Sequence, residues 1–341
     1  MPASPAVRAS SATQRGFSVV ELMIAMVLGL IVIAGASAVF LSNKQAYRSN
    51  QALGRIQENA RVAFELLARD ARQAGLTGCG NSTRVANVLN NGPSGSETEA
   101  WYADFADNAV HGYDDAETDP AITTGTSSAQ RLSGTDSLTL IGAGSPTYGI
   151  TLHTIGSAQN FTLNEGTTSL EAGDLVIVCD PDHATIAQVT GISGSAVQVL
   201  ASGTPGNCVV GLGYPTSCSS SNAYQFAENS LLSKLLAVDW YIGTNAQGTL
   251  SLYRKTVVTE SSAATAEAQE MIRNVVDMQI QYHVADATDF EDASDVASSD
   301  WSNVDAIRVT LTFKDSNDNS GTGTAPIYRE MSASITLRNR V

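Results

Sequence analysis

Basic residues are scarce in this chain. Nineteen Lys and Arg stand against 34 Asp and Glu, for a formal net charge of −15. A surface that neutralises phosphates needs clustered Lys and Arg, so a general nucleic-acid-binding role is excluded. Charge of either sign is sparse, at 16% of residues. Ser, Thr, Gly, Asn and Ala fill the space, as in exported, loop-rich β proteins. Catalytic signatures are also missing. There is no Gly-x-Ser-x-Gly elbow and no Walker loop, and "GAGSPTYG" at 142–149 fails the dinucleotide spacing. His111, His153, His183 and His283 are scattered, and His283 sits in a strand pattern as a surface or satisfied residue. An enzyme is not expected, nor a cofactor.

Cysteine is limited to Cys79, Cys179, Cys208 and Cys218. Four cysteines allow three complete pairings. No Cys-x-x-Cys occurs and His183 has no partner at ligand spacing, which argues against zinc. Cys208 and Cys218 flank a short Gly/Pro/Ser loop and suit a local bond. Cys79 and Cys179 would then tie the end of a helix to a strand. Buried free thiols are the alternative. Two acidic stretches invite comparison with calcium loops. "DSNDNSG" places Asp315, Asn317 and Asn319 at alternating positions, but Ser320 and Pro326 fall where an EF-hand needs Gly and Glu. A polar hairpin loop is the expectation there. "DDAETD", with Asp114, Asp115, Glu117 and Asp119, reads as a solvated loop.

What the chain does have is one long hydrophobic run. The stretch "RGFSVVELMIAMVLGLIVIAGASAVFL" spans Arg15 to Leu41, and residues 22–41 carry no charge. Twenty residues at about 1.5 Å each cross about 30 Å, the thickness of a bilayer core. A cleaved secretory signal has a shorter apolar region, with its small residue after the run. Here Gly16 lies before it. Arg8 and Arg15 favour a cytoplasmic N-terminus, although Lys44 and Arg48 flank the other end. Glu21 lies inside this apolar stretch, where an ionisable group is costly and usually functional.

These residues resemble the signal of type IV prepilins: a short basic leader, Gly16, Phe17, then Glu21 five positions into the mature helix. The resemblance implies cleavage between Gly16 and Phe17 by a prepilin peptidase and methylation of the Phe17 amine. It also implies that Glu21 pairs with the N-terminal amine of a neighbouring subunit during assembly. A carboxylate in a low-dielectric setting gains most when a cation is brought to it, and cleavage creates that cation. One departure is Ala38, where many major pilins carry a proline.

Beyond the span, Leu53, Ile56, Ala60, Ala63, Leu67, Ala71 and Ala74 repeat at steps of three and four, with Phe64 beside them. Arg55, Glu58, Arg61, Glu65, Arg69 and Arg72 occupy the other face. Gly75 and Gly78 mark the stop. Residues 76–135 are loop-rich, with Trp101, Tyr102 and Phe105 as anchors. "DSLTLIG" and "DLVIVCD" read as strands, and "ATIAQVTGIS" and "SAVQVLA" as a small antiparallel meander. "LLAVDWYIG" and "SLYRK" read as a further pair. The C-terminal stretches alternate at Val276, Met278, Ile280, Tyr282 and Val284. They alternate again at Ile307, Val309, Leu311 and Phe313, and at Met331, Ala333, Ile335 and Leu337. That is a half-buried sheet whose natural partner is the apolar helix face.

These C-terminal stretches, with "GLTGCG" and "DLVIVCDPDHATIAQVTG", are similar to PilW-type minor pilins. The expected fold is α+β and pilin-like: a long N-terminal helix packed on an antiparallel β-sheet domain. The expected organisation is a leader at 1–16, an assembly half of the helix at 17–41, an amphipathic half at 42–75, the loop-rich region at 76–135 and a β-rich domain at 136–341. The implied role is a non-enzymatic minor pilin of the inner membrane, with its domain in the periplasm and later in the pilus. Its implied partners are the prepilin peptidase, other minor pilins, the major pilin and a tip adhesin. Alternatives are a type II secretion pseudopilin, or a membrane-anchored periplasmic binding or sensor module.

Overall fold

The computed structural model describes residues 16–80, 84–115, 117–315 and 325–337. Helix α1 (Val19–Gln73) leads, followed by β1 (Val85–Asn87), a one-turn helix α2 (Phe105–Asn108) and β2 (Val110–Tyr113). Then come β3 (Ser137–Thr154), β4 (Gln159–Leu163), β5 (Leu175–Cys179), β6 (Ala184–Gln188), β7 (Gly191–Ser193) and β8 (Ala196–Val199). The remaining strands are β9 (Leu231–Thr244), β10 (Leu250–Glu260), β11 (Ala263–Arg273), β12 (Val275–Val284), β13 (Glu291–Asp292), β14 (Val304–Lys314) and β15 (Tyr328–Thr336). The layout is α+β and pilin-like, one long helix on an antiparallel-rich β domain.

Two long strands, β3 and β9, form the spine of the larger sheet. They pair antiparallel from Ser137↔Tyr241 to Gly149↔Leu231 and change outer partners along the way. Their helix-side halves carry β2 and β10, and their far halves carry β4 and β5. The near halves supply Leu138, Leu140, Val238, Trp240 and Ile242 to a core shared with α1. The far halves supply Tyr148, Ile150 and Leu232 to a second core, in which no helix residue takes part. A four-stranded sheet, β13-β12-β14-β15, completes the first core through Met278, Ile280, Val309 and Leu311.

The helix buries Ile56, Ala60, Ala63, Leu67, Ala71 and Ala74, one stripe at helical spacing. The stripe begins at Ala52, whereas Leu53 is only half-buried. Four alanines in it let the backbone come close to the sheets. The closest approach is at Gly142, where a Cβ would sit 2.0 Å from the carbonyl oxygen of Gln73. There the helix end is stitched to β3: Gly75 N–H donates to Ile141 O at 2.8 Å and Ala143 N–H to Leu76 O at 2.6 Å. The helix stops at Gln73, and Gly75 takes a φ of +73° that turns the chain into this junction.

A carboxylate lies in the same stripe. Asp70 is 1% exposed and accepts from Trp240 Nε1 at 3.1 Å and from Arg254 Nε at 2.7 Å. It fixes the rotation and height of α1 against β9 and β10.

Several expectations are corrected. The proposed meander forms only as two separate antiparallel pairs, β5 with β6 and β7 with β8. β6 pairs on its other side, in parallel, with β1, while β8 turns away to join β4. The "DSLTLIG" strand extends through 142–149 to Thr154, with a register shift between Ala143 and Thr147. β11 was not expected, since "AATAEAQEMIR" lacks a strand pattern; it is held as the partner of β10. In β12 a shift between Val275 and Asp277 buries Val275 rather than Val276. The helix packs on both sheets, not on the C-terminal one alone.

The acidic loop at 114–119 is not simply solvated. Arg131 is fully buried and donates to the carbonyls of Tyr113, Asp114, Glu117 and Thr135. Asp119 is buried, accepting from Ser137 Oγ at 2.5 Å and Ala121 N–H at 2.7 Å. Asp114 receives the N–H groups of Ala293 and Ser294. Asp136 bridges the two sheets, accepting from Ile280 N–H at 2.7 Å while its own N–H donates to Met278 O. Burial pushes the Asp136 carboxyl up to about 7, aided by Asp114 and Asp277 and opposed by the Ile280 N–H and Arg131. Burial likewise raises Asp119 and the fully buried Asp239.

Two disulfides close the domain, Cys79–Cys179 and Cys208–Cys218. The first spans 100 residues and joins the helix exit to the end of β5. On chain-entropy grounds a loop of that size stabilises by about 4.7 kcal/mol, well above a ten-residue loop.

Two outcomes follow from these buried groups. Replacing Asp70 by Ala strips Arg254 and Trp240 of their acceptor, and loss of one partner of a buried pair costs about 3–5 kcal/mol. Urea unfolding of Asp70→Ala is expected to show that loss, and a change under about 1 kcal/mol would sink the clasp assignment. The second outcome concerns pH. A carboxyl with a raised folded pKa stabilises fully below its unfolded value of 3.8 and loses that contribution as pH climbs through about 7. The histidines lowered by burial, His111, His153 and His183, act in the opposite sense, but only below their ordinary 6.5. Unfolding free energy is therefore expected to fall as pH rises from 6.5 through about 7 and to level off above that, and Asp136→Asn to flatten the slope. A flat profile in the parent protein would contradict it.

Candidate functional site

The helix divides into two halves by what surrounds it. Residues 16–44 are all exposed, and the first buried helical residue is Ala52. Roughly 50 Å of helix therefore extends beyond the domain's own core. Its apolar window has a mean hydropathy of 2.7 and none of it is buried. By length and composition α1 can cross a membrane. Such a surface cannot stay in water, because patches of more than a few hundred Å² mark membrane or protein contacts. The helix is a single-pass anchor bearing a C-terminal domain.

Its first turn holds the residues singled out in the sequence. Gly16 and Phe17 precede the helix, and Phe17 is 84% exposed. Ser18 is the N-cap, in an extended conformation, its Oγ accepting from Val20 N–H at 3.3 Å. The Ser18 carbonyl accepts the Leu22 N–H at 3.1 Å. Glu21 falls in the first turn, where the helix dipole favours a carboxylate. Gly16, Phe17 and Glu21 are thus gathered at one exposed helix end.

The other candidate residues lie far from it in the chain. All four cysteines are in the two disulfides of the domain. Asp315 ends β14 and accepts from Arg55 Nη2 at 3.0 Å; Asn317 and Asn319 lie outside the described residues. Among the described residues no group of three His, Cys, Asp or Glu is placed to hold a metal. His283 Nδ1 donates to Asp305 Oδ1 at 2.6 Å, its Nε2 lies 3.1 Å from Ala287 O, and the hydrogen bond to Asp305 raises its pKa. His183 is buried against Thr185 and Leu212 O. Sequence reasoning missed Asp70, Asp136 and Arg131. Asp70 did leave a signal, since an acid three residues after Leu67 interrupts an otherwise apolar stripe.

Comparison with known proteins agrees with this geometry at both ends of the chain. The family model for Type IV Pilus-assembly protein W matches residues 239–339, from the end of β9 through β15. The Prokaryotic N-terminal methylation motif matches residues 11–37, the exposed helix end and what precedes it. No curated protein and no solved structure gives a match. The two matches, carried on one chain with a long apolar helix and an antiparallel β domain, support its likeness to type IV pilus minor pilins of the PilW type.

Proposed function

We propose that this chain is a non-enzymatic subunit of a priming or tip complex that starts type IV pilus assembly. The observation that carries this is the half-unpacked helix, apolar and exposed from Phe17 to Leu41, with a carboxylate in its first turn. A prepilin peptidase cuts between Gly16 and Phe17, and the Phe17 amine is methylated. The subunit waits in the inner membrane with its β domain in the periplasm, an oxidising space where its two disulfides persist. It then leaves the lipid for a bundle of like helices with other minor pilins and the major pilin.

Glu21 gives the step direction. In lipid it has no cation until cleavage makes one, and the amine it meets belongs to a neighbouring subunit. A buried carboxylate that gains a cation recovers much of its desolvation cost. Lipid tails give apolar helices no hydrophobic reason to associate, so a polar pair can decide the matter. A type II secretion pseudopilin would share this chemistry; the PilW match over 239–339 favours the pilus.

Glu21→Ala is expected to be cut normally, so that N-terminal sequencing begins at Phe17. Recovery with neighbouring pilins from sheared filaments is expected to drop about tenfold or more, equivalent to about 1.4 kcal/mol. Unchanged incorporation would remove the pairing role. A native protein that begins at Met1 or Pro2 would remove the pilin reading itself.

A further inference from the structure

The far part of the β domain carries a groove with no α1 residue in its wall. Between β6 and the loop closed by Cys208–Cys218 lies a cavity of about 670 Å³, walled by Arg84, Asp182, His183, Tyr214, Asn222 and Tyr224. Tyr214 and Pro215 also wall a second cavity, of about 250 Å³, on their other side, with Phe105 and Ile186 at its base. The tyrosine therefore stands on a ridge between two adjoining depressions, 52% exposed.

This loop is braced before any ligand arrives. Its disulfide closes it, Gly213 N–H donates to Asn222 O at 2.9 Å, and Asn222 Nδ2 to Pro215 O at 2.6 Å. Thr216 Oγ1 accepts the N–H of Asn87 in β1 at 2.8 Å. A site held in place loses little ordering entropy on binding. The cavity floor is a flat aromatic pair: the His183 and Tyr224 rings lie 4.1 Å apart at 30°, and Tyr224 Oη donates to Asp180 at 2.7 Å. His183 sits against Leu212 O, and burial holds its pKa below the ordinary value, so the ring is neutral at pH 7.

The charge and polarity select a ligand class. One cation, Arg84, and one anion, Asp182, stand at the larger cavity, so neither a polyphosphate nor a polycation is matched. The wall of the larger cavity is mostly polar, which excludes an acyl chain there, while the smaller cavity is more apolar and suits the C–H face of a ring. What remains is a ligand rich in groups that both donate and accept, with flat C–H faces to lay on tyrosine. Arg84 supplies donors only, Asp182 acceptors only, and Asn222 both. Hydroxyl pairs on a saturated ring use all three, and an exposed tyrosine offers an apolar body with a polar tip.

We propose that this groove binds a neutral glycan, with one pyranose ring in each cavity and Tyr214 between them. The proposal does not depend on the pilus role, because no residue that lines either cavity belongs to α1.

The test uses the full chain in a zwitterionic detergent without a sugar headgroup. Saturation-transfer NMR is run with N,N′-diacetylchitobiose, cellobiose, maltose and lactose, and with their constituent monosaccharides. At least one disaccharide is expected to receive saturation, and more strongly than its monosaccharides. Tyr214→Ala and Asp182→Asn, both at exposed positions, are each expected to weaken it about tenfold or more. Tyr328→Ala, an equally exposed tyrosine at 51%, is expected to leave it unchanged. Thermal melting checks that each variant is folded. The proposal is overturned if no disaccharide responds, if monosaccharides respond equally, or if folded Tyr214→Ala retains the signal. It is also overturned if only acidic sugars bind and Arg84→Gln abolishes that binding.

Discussion

The whole molecule is arranged around one helix that must satisfy two environments. Its outer half is apolar, exposed and long enough to cross a membrane, and its inner half packs on the protein's own sheets. A continuous helix meets both demands because its backbone hydrogen bonds are internal at every point, so no break is needed where the environment changes. The boundary is instead set by side chains. Uncharged apolar residues end at Leu41, and burial by the domain begins at Ala52. The clasp at Asp70 then matters beyond its own energy. An alanine-rich helix face can slide or rotate on apolar sheets at little cost, since hydrophobic contact is not directional. A buried carboxylate received by Trp240 and Arg254 allows only one rotation and one height of α1. That fixes where the outer half points relative to the β domain.

Much of this was legible in sequence, and the exceptions have physical reasons. The spacing of Ile56, Ala60, Ala63 and Leu67 and the alternation in β14 name their buried faces directly, since period follows from backbone geometry. "GAGSPTYG" concealed the middle of β3, because Gly and Pro are turn residues in isolation. It is a strand because β9 pairs along both of its ends, across a register shift that absorbs the irregular residues. β11 is illegible for a related reason. Its residues are small, polar or charged, and its partner β10 holds it from Ser251↔Arg273 to Glu260↔Ala263. Tertiary pairing overrides weak local preference in both cases.

The assembly residues show the opposite balance. Gly16, Phe17 and Glu21 were recognisable only because their order in sequence is itself the signal. At their exposed helix end they have few neighbours, so the fold adds accessibility and the cap at Ser18, not a constellation. Arg131 is the reverse. Nothing around position 131 announces a buried cation. Its role emerges only when Tyr113, Asp114, Glu117 and Thr135 turn their carbonyls toward one guanidinium. Five fixed donors suit that duty, and a lysine would not reach four carbonyls at once.

Two of the three hydrophobic cores also divide labour along the spine. β3 and β9 run from the helix-packed core into the far core, so the far part is attached by strands rather than by a linker. Force or contact at the far end is thus transmitted through paired backbone to the helix exit, where Gly75 and Ala143 are hydrogen-bonded across the junction. The Cys79–Cys179 bond spans the same junction covalently, from just past the helix to β5. Loops on the far core can therefore differ in composition without disturbing the register of α1, because none of their side chains enters the core that holds Asp70. A chain built this way keeps its helix-packed part fixed in geometry while its far surface is free to vary.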